Sequence, residues 1–594
     1  MIRRPALRDR HPRLSEATVP ASGDEASLPT LRARVGLLLA LATATAILLP
    51  LLAGDYMQPV GYWARVAISS AIYLGLVLLA LRWDAAAFRV VRLATTYPLP
   101  AIAALFFVAS LAAVFLVLDN VPHVSDEVAY QFQARTLATG SLSLPTPAEP
   151  EFFGFVHTMM DGERWYGIMN PGWPALLALG YLMDTPWIIN PLLGALSVLV
   201  FAALLRAAGY TPAQWQLAVL LMAVSPFVLF MSATYMAHTA NLFLFLVFAW
   251  AWVRMMRERS AWFAALAGLA LTLNLLVRPI DAAMAAVPFF IYLLLRLRHD
   301  PGLVKQLALV GVIASLGVLF TWWYNAQLTG DGRLMPMAKY FLERDPGQRF
   351  GLGFGPDMGT TLHGPEFPGY YPSDAVRVSS YRLAQLSLDV HGLPLLLLAI
   401  CGLTAFRADW RRNPWHGVLL ASGLTLLGIY VLHFYHGVAY GSRHYFLAVP
   451  ALAVAIALPL AGWLAAPLPV SRYARAALAA LLVYVLTMPY ADLLPEYGRN
   501  YRQASGALRE EVERRDLTAA LVFVAEDGWA WKSAFPLNTY PLGSGDVIFA
   551  KDRGADNLRL MRRFAGRAYY HVRIRGGSAV ELTALPAAAD VRPR

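Results

Sequence analysis

Apolar residues along this chain gather into blocks of roughly 16 to 22, close to the ~20 residues that cross a bilayer as a helix. Short basic stretches separate the blocks. The pattern predicts about 13 spanning helices, near residues 36–53, 66–81, 99–118, 186–205, 214–232, 239–253, 261–277, 281–295, 306–324, 392–406, 416–433, 445–464 and 474–491. The stretch 173–183 is apolar but short, and reads as an interfacial helix or as the lead-in to the next span. The expected fold class is therefore mainly α, a polytopic membrane helix bundle.

Three long segments interrupt the blocks: 119–172, 325–391 and 492–594. The first is rich in acidic, aromatic and amide residues. The second is dense in Gly, Pro and Tyr between Gly351 and Pro372 and is far longer than an ordinary connection, a property of functional or disordered loops. The third alternates strand-like runs (Leu521–Val524, Val547–Ala550, Tyr569–Ile574, Val580–Leu582) with a helical stretch around Asn557–Phe564, which predicts a small α/β domain. The expected organisation is a polar tail over 1–34, two helices within 35–97, a main transmembrane module over 98–491 with loops 119–172 and 325–391, and the α/β domain over 492–594.

Composition agrees with the blocks. Of 594 residues, 58% are hydrophobic and 15% charged, whereas soluble domains carry about a quarter charged residues. The net charge of +11 lies in short loops and forms no basic stripe, so it encodes orientation and not a nucleic-acid partner. One set of connections holds Arg82, Arg89, Arg92, Arg206, Arg254, Arg257, Arg259, Arg296, Arg298, Lys305, Arg407, Arg411, Arg412, Arg472 and Arg475; the short loops of the other hold only Arg65, Arg278 and Arg443. That asymmetry predicts a multi-pass protein of the plasma (inner) membrane with a cytoplasmic amino terminus. All three long segments then face the extracytoplasmic side. The Arg-rich start (Arg3, Arg4, Arg8, Arg10, Arg13, Arg32, Arg34) is too long for the basic region of a secretory signal. The single Cys401 rules out an intrachain disulfide or a Cys-based metal cluster.

Candidate chemistry begins just after the third predicted span. Asp126 and Glu127 stand in Val121-Pro-His-Val-Ser-Asp-Glu-Val-Ala-Tyr-Gln-Phe-Gln-Ala-Arg135. Ser125 is expected to cap a short helix there, with both carboxylates in its first turn, where the dipole favours an anion. Tyr130, Gln131 and Gln133 follow on the same interfacial helix.

A span followed by an outer loop that opens with Asp-Glu and a juxtamembrane helix resembles the GT-C glycosyltransferases. The nearest branch is that of the protein O-mannosyltransferases and the bacterial lipid A aminoarabinose transferases. The same resemblance runs through Tyr166-Gly-Ile-Met-Asn-Pro-Gly-Trp-Pro174, Ser225-Pro226 with Ala237-His-Thr239, Arg278-Pro279 and Gly441-Ser-Arg-His-Tyr445, over roughly residues 98–465. It implies a membrane enzyme that moves a sugar from a polyprenyl-phosphate carrier to a protein hydroxyl, a lipid A-like lipid or an envelope polysaccharide. Asp126 would be the base, with Glu127 orienting it or the acceptor. A lipid-phosphate sugar already has a good leaving group, so a base and cations for the departing phosphate suffice, in an inverting single displacement.

Arg278 and Arg443 are the candidate phosphate ligands, because both sit where a span meets the cation-poor outer face and Arg offers phosphate a planar fork of donors. Lys339 is a third. Histidines His123, His157, His238, His363, His391, His433, His436 and His444 all map to that face or its margin. His238 and His444, with Tyr130 and Tyr166, are candidate substrate contacts. Trp165, Tyr166, Trp173, Tyr370 and Tyr371 stack on sugar or form an interfacial aromatic belt. No His/carboxylate spacing matches a metal site, so no metal and no cofactor is required by the reading. The chain has no Gly-rich phosphate loop, no Gly-x-Gly-x-x-Gly after a strand and no Asp-x-Asp pair for a nucleotide sugar. The rival classes are a transporter or flippase for a lipid-linked glycan or other envelope lipid, and an envelope scaffold in which Asp126→Asn is silent. A third, within the enzyme class, is a transferase of whole lipid-linked oligosaccharides.

Overall fold

Helices carry the architecture because the apolar blocks leave their backbone polar groups nowhere else to pair in a bilayer. The computed structural model describes residues 40, 43–360, 369–393, 413–498, 500–525 and 531–586. The tail 1–34, most of the expected span 392–406, Cys401, His363, Arg407, Arg411 and Arg412 lie outside the described residues.

Among the described residues, nine helices are long and apolar enough to cross a membrane: Pro59–Arg82, Leu99–Leu116, Pro186–Ala207, His238–Glu258, Pro279–Leu297, Pro301–Thr329, Pro414–Leu432, Arg443–Leu464 and the helix starting at Val470. Many open on Pro, whose fixed φ and missing N–H suit the first turn. Two further expected spans are present as shorter apolar helices, Thr43–Tyr56 and Ala261–Val277.

The expected single span 214–232 is two helices, Pro212–Ala223 and Pro226–Met231. Proline disfavours helical backbone in the residue before it, and Ser225 is extended at φ −65°, ψ 120°. After the second helix the chain stays non-helical from Ser232 to Ala237, which leaves the Tyr235 amide available to the site. The basic connection after Arg82 also differs from expectation. It holds a helix, Asp84–Thr96.

The short apolar stretch at 173–183 is the eleven-residue helix Gly172–Leu182. Ahead of it, segment 119–172 forms the helix Ser125–Ala138 and a small antiparallel sheet of β1 (Leu144–Pro145), β2 (Thr158–Asp161) and β3 (Arg164–Gly167), in the order β1-β3-β2. Only the helix was legible beforehand, since these strands are too short to show alternation.

The C-terminal α/β domain is present. Its sheet is β4 (Ala520–Val524), β5 (Val547–Lys551), β6 (Ala568–Arg575) and β7 (Ala579–Leu585), in the order β5-β4-β6-β7. Strand β4 pairs in parallel with β5 and β6, and β6 pairs antiparallel with β7. Every residue of β4 is buried, as the middle strand of a covered parallel sheet must be. The domain does not stand apart. Its core is continuous with Val128, Phe132, Phe152, Phe155 and Trp165 of the first outer segment, and Phe132 packs against Trp165 at 4.6 Å and Tyr540 at 5.1 Å between ring centroids.

Close backbone approach sets the seat of the short helix Gly172–Leu182. A Cβ at Gly172 would lie 2.7 Å from the Leu276 carbonyl carbon and 2.8 Å from Val277 N, and backbone atoms cannot swing aside as a side chain can. Gly172→Ala is therefore expected to destabilise the protein by about 1–3 kcal/mol. The readout is a lower thermal unfolding midpoint in detergent; an unchanged midpoint would show that the two helices do not meet at this glycine.

Candidate active site

A cavity of about 740 Å³ opens at one end of the bundle, walled by residues from the first outer segment, the spans around Arg278 and Arg443, the loop at Phe350–Leu352 and the C-terminal region. Its polar wall is built from Asp126, Tyr130, His157, Arg278, Asp281, Tyr430, His433, Arg443 and His444, with Arg502 and Lys532.

Asp126 sits in the first turn of Ser125–Ala138 and stays partly open, its side chain 22% exposed. Its Oδ2 lies 3.0 Å from Arg443 Nη1 and its Oδ1 3.3 Å from His157 Nδ1. His157 is held in a left-handed backbone at φ 68°. Burial lowers its proton affinity, against the opposing pull of Asp126.

Glu127 is a different kind of residue. It is fully buried, and its carboxylate accepts from His123 N (2.8 Å), Val124 N (3.1 Å), Tyr235 N (2.8 Å) and Tyr440 OH (3.0 Å). Burial raises its pKa while these four donors pull it down. Val124 occupies the N-cap position and donates its amide to Glu127, while Ser125, the cap its residue type suggested, is the first helical residue. Glu127 is absent from the cavity wall.

Arg278 occupies the joint between Ala261–Val277 and Pro279–Leu297, where Pro279 forces a new helix to start. Its Nε meets Asp281 Oδ2 at 2.6 Å and its Nη2 meets Tyr430 OH at 3.0 Å. Tyr430 OH in turn donates to Asp281 Oδ1, and Asn241 Nδ2 donates to Asp281 Oδ2 at 2.8 Å. Asp281, three residues after Arg278 inside an apolar run, was a readable signal of this network and was not used.

Arg443 is aimed by the turn before it. Asp389 Oδ2 accepts from both Ser442 N and Ser442 Oγ at 2.6 Å, and Gln385 Nε2 donates to its Oδ1 at 2.8 Å. Burial pushes the Asp389 carboxyl up to about 6. The wall opposite hangs on Arg382, a fully buried guanidinium that donates to the carbonyls of Tyr430, His433, Tyr435 and His436. Neither Asp389 nor Arg382 was singled out in the sequence, since each stands in an ordinary amphipathic helix, Pro372–Asp389.

The remaining candidates divide by place. Tyr130 and His444 face the cavity; His444 stacks on Tyr430 at 4.7 Å, and both its ring nitrogens are buried without a hydrogen-bond partner. His238 lies off the cavity wall, 1% exposed, also with both nitrogens unpartnered. Tyr166 is fully buried, its hydroxyl 3.2 Å from Met159 Sδ. Lys339 pairs with Asp161 and, at 3.8 Å, Glu343, so its charge is spent outside the cavity wall. Among the described residues no group of three or more His, Cys, Asp or Glu side chains is placed to hold a metal ion.

No family model matches the chain, and no curated protein does. Among solved structures it is similar to ArnT from Cupriavidus metallidurans bound to undecaprenyl phosphate, at 13% identity over 79% of this chain and 92% of that one, with a TM-score of 0.49. It is also similar to the Archaeoglobus fulgidus oligosaccharyltransferase in the apo form (15% identity, 68% of this chain and 56% of that one, TM-score 0.42) and to the mycobacterial arabinofuranosyltransferase AftD (17%, 81% and 35%, TM-score 0.43). Two of these proteins are by name glycosyl-transferring enzymes, an oligosaccharyltransferase and an arabinofuranosyltransferase. The functional reading of this chain rests on the residues of the cavity.

The adjacent carboxylates have separable roles. Glu127→Gln turns one acceptor oxygen into a donor among four donors, so it is expected to cost about 1–3 kcal/mol of stability. Asp126→Asn, at a partly open position, is expected to leave the unfolding midpoint nearly unchanged. Equal shifts in the two variants would contradict the division.

Proposed function

We propose that this chain is a membrane glycosyltransferase that takes its sugar from a polyprenyl-phosphate carrier and passes it to an acceptor hydroxyl on the outer face. The observation that carries the reading is one partly open carboxylate, Asp126, held at 3.0 Å from Arg443 in a cavity that also receives Arg278. A base and two phosphate-binding cations are what the reaction needs.

In this reading the acceptor oxygen loses its proton to Asp126 and attacks the anomeric carbon. The bond from that carbon to the phosphate oxygen breaks, and the electron pair leaves on the carrier phosphate. Arg278 and Arg443 stabilise the charge that grows there. Asp281, Tyr430 and Asn241 hold the Arg278 guanidinium in place, and the Asp389–Ser442 contacts hold Arg443. Arranging donors before the reaction avoids reorganisation cost during it. The aromatic wall of Tyr130, Tyr430 and His444 suits the apolar face of a sugar ring. Because Asp126 accepts the proton and no second nucleophile is required, the displacement inverts the anomeric centre.

The test is transfer of radiolabelled sugar from polyprenyl-phosphate donors by purified protein. Asp126→Asn is expected to lower the rate about 10²–10⁴-fold while carrier binding persists. Arg278→Gln is expected to weaken carrier binding about 10–100-fold, the worth of a hydrogen bond to a charged group. A silent Asp126→Asn, or a product of retained anomeric configuration, would refute the mechanism. Lipid movement between leaflets without any transfer would replace it with a flippase.

A further inference from the structure

The C-terminal segment brings two basic side chains to the cavity wall, the exposed Arg502 and the buried Lys532. Lys532 lies on the short helix Trp531–Ala534, downstream of β4, the fully buried strand of the C-terminal sheet. Ligand crevices in open parallel sheets form beyond the carboxyl ends of such strands. The residue is 3% exposed, yet it forms part of the wall shared by Asp126, Arg278 and Arg443. Its Nζ donates to His123 O at 3.0 Å and to Arg502 O at 2.7 Å.

His123 stands in the irregular segment that leads into the helix of Asp126, and Glu127 already holds that segment through the His123 and Val124 amides. Lys532 holds the same segment through the His123 carbonyl. Aromatic packing completes the clamp, since the His123 ring meets Tyr440 at 6.3 Å and Tyr501 at 6.0 Å. Two other contacts dock the domain beside it: Arg509 donates to Asp119 O at 3.0 Å, and Arg135 donates to Asn538 O at 2.7 Å.

We propose that the anion site is built by both domains, with Lys532 as its buried cation from the C-terminal domain and as the pin that holds the segment leading into the helix of Asp126. The inference rests on the reading that the cavity takes a lipid phosphate. The charged and titratable groups that face Lys532 are the Arg502 guanidinium, the Glu127 carboxylate and the His123 ring. Burial, with Arg502 nearby, lowers the lysine to about 7, against the opposing pull of Glu127. Burial and Lys532 together hold His123 at about 3, so that ring stays neutral at neutral pH and above. An anion entering the cavity replaces the water that the ammonium lost and favours its charged form. Near pH 8, above the lowered value of Lys532, anion binding is therefore coupled to proton uptake at Nζ.

The experiment is calorimetric titration of the full-length protein in detergent with undecaprenyl phosphate near pH 8, repeated in buffers of different ionisation enthalpy. Wild type is expected to take up a large fraction of a proton per carrier bound. Lys532→Arg, always charged, is expected to bind the carrier without that uptake. Lys532→Met is expected to lose the uptake and bind about tenfold more weakly. Uptake unchanged in Lys532→Arg would overturn the proposal, and that variant keeps the test open should Lys532→Met not fold. If wild type does not bind the carrier, the functional reading fails separately, and inorganic phosphate serves as the probe for the same comparison. Binding of neither probe would overturn both.

Discussion

One buried carboxylate ties the cavity end of this protein together. Glu127 gathers main-chain amides from His123, Val124 and Tyr235 and the hydroxyl of Tyr440. The first pair belongs to the irregular segment entering the helix Ser125–Ala138. The third comes from the non-helical stretch that follows the helix Pro226–Met231, and the fourth from the turn that leads to Arg443. A fully desolvated carboxylate is costly unless its lone pairs are filled. The need to fill them draws three distant parts of the chain to one point, and Asp126, next in sequence, inherits that position.

The cavity's charges are arranged in layers. Arg278 and Arg443 each contact a carboxylate, Asp281 and Asp126 respectively. The Asp281 side chain is 2% exposed and part of a wider hydrogen-bonded set, so it serves as a mount. The Asp126 contact is the more open one. In the proposed reaction a phosphate oxygen competes for Arg443 and leaves Asp126 less neutralised, which strengthens it as a base at the moment the donor is present. Behind both stand Asp389, held against Ser442 and Gln385, and Arg382, held against four carbonyls and the rings of Tyr430 and Tyr445, and they set where the neighbouring side chains point.

Much of this was legible in the chain itself. The apolar blocks located the spans because block length is a direct consequence of bilayer thickness, and the strands of the C-terminal domain showed as apolar runs. Asp126 was singled out from the Asp-Glu pair that opens the first long segment, and Arg278 and Arg443 because cations are rare at that end of the spans; the structure brings all three to one cavity wall. Other features were not legible for physical reasons. The break at Pro226 sat inside an uninterrupted apolar run, where hydropathy does not register a change of backbone direction. Glu127 looked like its neighbour because burial cannot be read from two adjacent acids. Asp389, Arg382 and Lys532 acquire their roles from contacts across long sequence separations. Lys339 shows the converse, a cation placed by residue type and neutralised by Asp161, which pairing in the folded loop alone reveals.

The shared core of the C-terminal domain and the first outer segment has a consequence for biogenesis. The contact between Lys532 and His123 joins residues 409 apart. During synthesis the segment bearing Asp126 emerges early, and Lys532 only after every described span has been made. Contacts of such separation form late, since loop closure must precede them. The wall around Asp126 is therefore incomplete until the C-terminal domain has folded against the first long segment.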